Sequence, residues 1–496
     1  MTAVWFARAR EPAAAVRCMK ERLAEGKGLN SGEGEGKQSM YSLSFMVTKF
    51  KENNKWVLYN WYNTANVTIG DTKHPMYVIL ENNTTCFAPF LYEGSPSDFD
   101  YLVEEFFLVN NQDTVRDLVV SKYNTTTDKK NLSLTLLPVE QECNFNCVYC
   151  SQQHQAKSRM GATDIAILEE FLSKQELRTL RIDYFGGEPL LNTDFIIQCN
   201  KMATELSRKR GFEFIGSSIT TNGYLLSREM FKQLIDLRVT SYQITLDGLP
   251  ELHDTLRPLS NGGPTFDVIY NNLLEMASTS HDLPFSVTIR FNFNYDTLDD
   301  LHRAAFFDKM KRFAEDKRFL IMPQAIGNWK NEVNEKLYCE SSQKTLLQYR
   351  CEDELEGMGF YTVSTVLHSE LDAHSCYSSK PNNLVIFPYS QSTNAMKVHK
   401  CTLAMESKEN NVGQITEKGE LVFNGNIDIW VKNELFRKEK CKNCFLVLHC
   451  FSNSCPFTNW QANDVVCPPA KAQEEYLAKR ILRFIAEHPC TSKKEN

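Results

Sequence analysis

The chain has no apolar run long enough to span a bilayer, and its start lacks the charged, apolar and small-residue pattern of a secretory signal. Basic residues are not in excess. The 55 Lys and Arg against 62 Asp and Glu give a net charge of −7, so no electrostatic reason exists to expect nucleic acid or an anionic membrane as partner. There is no internal repeat. The expectation is a cytoplasmic protein, with no nucleic acid and no membrane among its partners. Disulfide frameworks belong to the secretory route, so sixteen cysteines are left for metal or catalytic use.

The cysteines are uneven. Three sit in the stretch QECNFNCVYC, as Cys143, Cys147 and Cys150, with the spacing C-x3-C-x2-C. Five lie at 441–467: Cys441, Cys444, Cys450, Cys455 and Cys467. Cys18, Cys86, Cys199 and Cys490 are isolated and read as plain thiols, as do Cys339 and Cys351. Thiolates bind soft or borderline metals. Three on one loop can wrap an iron–sulfur cluster and leave one iron to a ligand from outside the protein. A tetrahedral zinc would need a fourth ligand, which His154 could supply. Spacing alone leaves both open.

A length of 496 residues predicts two or three domains. Residues 1–39 read as a flexible extension. Residues 40–130 read as a small α+β domain, with strand-like alternation at KWVLYNWYNTANVTI and MYVIL and a helical pattern at DFDYLVEEFFLV. The stretch YNTTTDKK reads as a linker. From 131 to 330, the strand candidates LSLTLLP, LRIDYF, FIGSSIT, SYQITLD, SVTIRFNF and FLIMPQ alternate with helical segments such as DIAILEEFLSKQ. That alternation predicts an α/β fold with a parallel sheet, open or closed into a barrel, and chemistry at the C-terminal ends of the strands. Residues 331–400 form a linking region, 401–470 hold the second cysteine group, and 471–496 read as a closing amphipathic helix and tail.

Several strand ends carry polar or glycine motifs. Phe185-Gly186-Gly187-Glu188-Pro189 ends the second strand, SITTNG (218–223) the third, and ITLDGLPELHDTLR (244–257) follows the fourth. Arg290-Phe291-Asn292 lies on the fifth. Gly186 and Gly187 permit close backbone approach, and Glu188 can accept a hydrogen bond from an ammonium group. A tight turn would explain the glycines but not the cysteines. Thr221 and Asn222 suit a ribose or a carboxylate, as do Thr245 and Asp247. Arg257 and Arg290 could hold a carboxylate in a bidentate pair or make structural salt bridges.

Together with the cysteine loop, and in this order, these motifs resemble the radical SAM superfamily over 131–330. The resemblance implies a partial (β/α)6 TIM-like barrel. It implies that Cys143, Cys147 and Cys150 ligate three irons of a 4Fe–4S cluster, and that S-adenosylmethionine (SAM) takes the fourth. It places the SAM amino group at the edge formed by Gly186, Gly187 and Glu188, and Tyr149 near the adenine. The implied activity is reductive cleavage of SAM to a 5′-deoxyadenosyl radical, which abstracts hydrogen from substrate, with an electron donor such as flavodoxin or ferredoxin.

The C-terminal cysteines resemble the SPASM domain, an auxiliary-cluster domain of peptide-modifying radical SAM enzymes; a zinc ribbon is the alternative. The resemblance assigns Cys441, Cys444, Cys450 and Cys467 to one auxiliary 4Fe–4S cluster. It assigns Cys401 and Cys455 to another. There Asn424 stands where a cysteine is expected, and Cys376, His399 or substrate could fill in. One or two auxiliary clusters are expected. The implied substrate is a peptide or protein, as in the maturation of ribosomally made peptides. One alternative is an oxidase like the anaerobic sulfatase maturases, in which an Asp follows the cysteine aligned with Asn424; here Gly425 follows, with Asp428 close by. Another alternative is a non-catalytic metal scaffold, which would not require the strand-end motifs.

Overall fold

The computed structural model describes residues 42–468, except 45, 61–65, 74, 83–95, 105–106, 153, 155–157, 328–336, 341–342 and 363–375, together with 478, 481 and 482. The extension 1–39, Cys18, Cys86 and Cys490, most of the closing helix and residues 61–65 of the stretch KWVLYNWYNTANVTI lie outside the described residues.

Near the N-terminus, β1 (Ser42–Leu43) pairs with β5 (Leu108–Val109), and β2 (Val47–Glu52), β3 (Lys55–Asn60) and β4 (Asn66–Ile69) form an antiparallel sheet. MYVIL is not a strand. It lies in the helix Pro75–Asn82, where Met76, Tyr77 and Leu80 are buried and Val78 is exposed. A five-residue apolar run fits either period, and here the one-sided burial is helical. YNTTTDKK is also not wholly a linker, because the helix Gln112–Thr126 runs through its first four residues. Asn111 caps that helix, its side chain accepting from Asp113 N–H.

The next six strands are the six expected from the sequence: β6 (Asn131–Val139), β7 (Thr179–Gly186), β8 (Glu213–Thr221), β9 (Val239–Thr245), β10 (Ser286–Phe293) and β11 (Phe319–Ala325). They pair in parallel in chain order, and β11 does not pair with β6, so the barrel stays open. Beyond β6 the sheet continues. β12 (Asn383–Ser390) joins β6 in parallel, and β13 (Ala395–His399), β14 (Asn411–Thr416) and β15 (Leu421–Phe423) follow antiparallel, giving ten strands. The linking region is therefore partly barrel wall, and one sheet runs from the barrel into the second cysteine region.

Strand alternation divides the barrel chemically. Leu134, Ile182, Ile219, Ile244, Ile289 and Ile321 belong to one buried apolar cluster with the helical residues Leu168, Ile196, Leu234, Leu273 and Phe306. Residues of the other face meet through polar bonds: Asp183 accepts from Ser133 (3.2 Å), from Arg181 (3.1 Å) and from Ser218. The outward face builds the core, and the inward face is left for polar contacts. Among the described residues no helix is long and apolar enough to cross a membrane.

Candidate functional site

After β6 the chain forms the cysteine loop. Phe145 is its anchor: it is fully buried, which contributes about 1.5–3 kcal/mol, and the Arg257 guanidinium lies 5.7 Å from its ring centre. Backbone bonds fasten the loop to the segment after the helix Pro250–Leu256. Asn146 N–H donates to Pro258 O (2.9 Å), Val148 N–H to Leu256 O (3.0 Å) and Ser260 N–H to Asn144 O (2.8 Å). Cys143, Cys147 and Cys150 are partly buried. Phe145 N–H points at the sulfur of Cys143 and Gln152 N–H at that of Cys150, each at 3.4 Å.

The two glycines fit against this loop. A Cβ on Gly186, whose φ is 127°, would lie 2.3 Å from Val139 O, and one on Gly187 would lie 1.9 Å from Glu142 O. The close approach they permit is thus to the backbone that leads into the cysteines. Glu188 is completely buried. Its carboxylate accepts from Leu190 N–H (3.0 Å), Thr221 hydroxyl (2.7 Å) and Asn222 N–H (2.7 Å), while burial raises its pKa. Asn222 in turn donates to Asn144 Oδ1 (2.8 Å), its amide 4.0 Å from the sulfur of Cys143. The cysteine loop and the ends of β7 and β8 are therefore one buried network.

A second network lies across the loop. The Tyr149 hydroxyl donates to Asp247 and accepts from Arg257 (2.9 Å) and Asn292 (3.1 Å). Asp247 also accepts from Asn292 N–H (2.9 Å), and its own N–H donates to His253 Nδ1 (3.0 Å). Burial raises the pKa of Asp247 and of Tyr149. Burial alone would lower that of Arg257, but Cys147, Tyr149 and Asp247 around it outweigh this and hold it well above its usual value. Arg290 donates to Asn292 Oδ1 (2.6 Å) beside Thr245, its pairing partner on β9. Tyr149, Asp247, Arg257 and Arg290 are thus brought together, and Tyr149 acts here through its hydroxyl. Sequence reasoning missed His253 and Asn144. The signal for His253 was its spacing four residues before Arg257, which caps the C-terminus of the same helix.

The donor set suits a cluster. Burial pushes the free thiol of Cys143 up to about 12 and that of Cys147 up to about 11, so thiolates there need a cationic partner. Among the described residues no three Cys, His, Asp or Glu side chains gather tightly enough for a single metal ion.

The C-terminal cysteines separate into two groups. Cys441, Cys444, Cys450 and Cys467 line one small pocket, with Leu446, Val447, Val465 and Pro468. Burial pushes the Cys450 thiol up to about 12. Cys401 and Cys455 stand apart from it, together with Cys376. Asn424 faces elsewhere, donating to Asn411 O (3.1 Å) in an exposed turn, and His399 is buried against Phe387, its ring centre 4.3 Å away. Cys199, Cys339 and Cys351 are buried in the barrel core.

Residues 138–307 match the Radical SAM superfamily. An uncharacterized protein of Methanocaldococcus jannaschii is 27% identical over 154 residues, 31% of this chain and 51% of that one. Fe-coproporphyrin III synthase of Methanosarcina barkeri is 26% identical over 216 residues, 42% of this chain and 48% of that one. The chain spans about half the length of these curated relatives. The structure of native anSMEcpe with bound AdoMet shares the fold, with a TM-score of 0.54 and 16% identity over 72% of this chain and 99% of that one; anSMEcpe has also been solved with AdoMet and the Cp18Cys peptide.

Proposed function

From the premise that residues 138–307 are a radical SAM domain, we propose that this chain is an enzyme that abstracts hydrogen from a peptide or protein substrate. The observation that carries the reading is the buried network joining the three-cysteine loop to Glu188, Thr221 and Asn222 at the strand ends. Cys143, Cys147 and Cys150 would hold a 4Fe–4S cluster, and Cys441, Cys444, Cys450 and Cys467 an auxiliary one. When bound, cluster and SAM supply one-electron sulfonium cleavage and hydrogen-atom abstraction.

The chain's own contribution is order and charge. Phe145 and the backbone bonds to Pro258 and Leu256 fix the loop. Glu188 holds two strand-end residues in register while keeping acceptor capacity for a donor, since a carboxylate offers about four lone-pair directions and three are used. Arg257, 3.9 Å from Asp247, and Arg290, bonded to Asn292, are the cations that would hold a carboxylate. The polar inner face of the strands suits a polar substrate segment. The peptide bound to anSMEcpe supports a peptide as substrate through the shared fold.

The test is anaerobic reconstitution with iron and sulfide, followed by dithionite and SAM. The expected result is 5′-deoxyadenosine formation that falls to background in the Cys143→Ala/Cys147→Ala/Cys150→Ala variant. Equal yields from the two proteins would reject the reading.

A further inference from the structure

Asn424 cannot complete the second auxiliary set, because its side chain is engaged in the turn at Asn411. A different cysteine stands beside that set. Cys376 N–H donates to Ser454 O (3.2 Å), which brings its backbone alongside Cys455. The following residue, Tyr377, reaches the other side: its hydroxyl accepts from Thr402 N–H (2.8 Å) and lies 2.9 Å from the Thr402 hydroxyl, next to Cys401. Cys376 is therefore tied to the neighbours of both cysteines. All three cysteines are partly buried, as are Cys143, Cys147 and Cys150.

Two further contacts are made to the sulfurs of this set. Leu403 N–H points at the Cys401 sulfur at 3.4 Å, two residues on, the arrangement also seen at Cys143 and Cys150. Such bonds stabilise thiolate sulfur and tune clusters. The Thr458 hydroxyl lies 3.2 Å from the Cys455 sulfur. Lys400, next to Cys401, is completely buried, its Nζ donating to Lys380 O (2.6 Å) and to Asn383 O.

We propose that Cys376, Cys401 and Cys455 together hold a second auxiliary iron–sulfur cluster, with Cys376, which lies outside the cysteine pattern around it, taking the place left by Asn424. The inference rests on the reading of this chain as an iron–sulfur enzyme. It goes beyond that reading by assigning a ligand that no motif supplies.

The test uses the full chain carrying Cys143→Ala/Cys147→Ala/Cys150→Ala, which removes the barrel cluster. After anaerobic reconstitution this protein should hold about eight irons, from two four-iron clusters. Adding Cys376→Ala should lower that to about four and remove one component of the reduced electron paramagnetic resonance spectrum. About eight irons after Cys376→Ala would overturn the proposal. So would about four in the starting protein with no change on Cys376→Ala, while leaving the enzyme reading intact. No iron in the starting protein would instead reject the auxiliary clusters altogether. If Cys376→Ala fails to fold, alkylation of the starting protein decides. Cys376 should resist iodoacetamide in the reconstituted form and react after iron is chelated; ready alkylation with iron bound would overturn the assignment.

Discussion

The barrel loop and the C-terminal pocket both gather cysteines, but their surroundings are opposite. Around Cys143, Cys147 and Cys150 lie Glu188, Asn222, Tyr149, Asp247 and Arg257, tied by hydrogen bonds to strand ends and a helix. Around Cys441, Cys444, Cys450 and Cys467 lie Leu446, Val447, Val465 and Pro468. Apolar walls suit a cluster coordinated only by thiolates. A polar, charged rim suits one whose open iron must receive a zwitterionic ligand. On the proposed reading, the difference between the two regions is a difference in what each would hold besides iron.

Four changes probe that contrast. Gly187→Ala has the largest expected effect, because its Cβ would meet the Glu142 carbonyl at 1.9 Å and push the loop aside. A displacement of that order costs about a hundredfold in rate. The 5′-deoxyadenosine yield should fall by that factor, while iron held at 441–467 stays constant. Tyr149→Phe removes the hydroxyl that Arg257 and Asn292 share and leaves two buried donors short of an acceptor. The expected loss is about 1–3 kcal/mol of stability in chemical denaturation, located in the barrel.

His253 gives the barrel site an acid sensitivity. Burial holds its pKa well below the ordinary 6.5, so the folded protein refuses a proton that the unfolded chain accepts. Its contribution is complete above the unfolded value and is lost as pH falls below it, by about 1.4 kcal/mol per pH unit. In denaturation curves at several pH values, His253→Asn should flatten part of that slope. Asn424→Ala has the smallest effect: the residue sits in an exposed turn, so stability should move by less than about 0.5 kcal/mol and iron content not at all.

The barrel was legible because two independent signals coincide there. Each parallel strand is an apolar segment flanked by a periodic helix, and the first four strand ends carry their own short motifs. MYVIL misled because five apolar residues carry no period of their own, and burial of Met76, Tyr77 and Leu80 on one side decides the helix. The glycines were legible as places of close approach, but only packing reveals that the approaching group is Glu142 O. Cys376 could be named as a stand-in for the absent cysteine but not chosen. It lies 25 residues before Cys401, a distance no local pattern bridges, and its position depends on the contact with Ser454. Likewise, the role of Tyr149 depends on Asn292, 143 residues away.

The central claim is that the three-cysteine loop presents one iron to SAM. Electron paramagnetic resonance of the reduced, reconstituted protein tests it most directly, with both C-terminal cysteine groups replaced so that only the barrel cluster remains. Adding SAM should shift the spectrum, and the shift should vanish when Cys143, Cys147 and Cys150 are replaced. A cluster spectrum that stays unchanged at saturating SAM would contradict it.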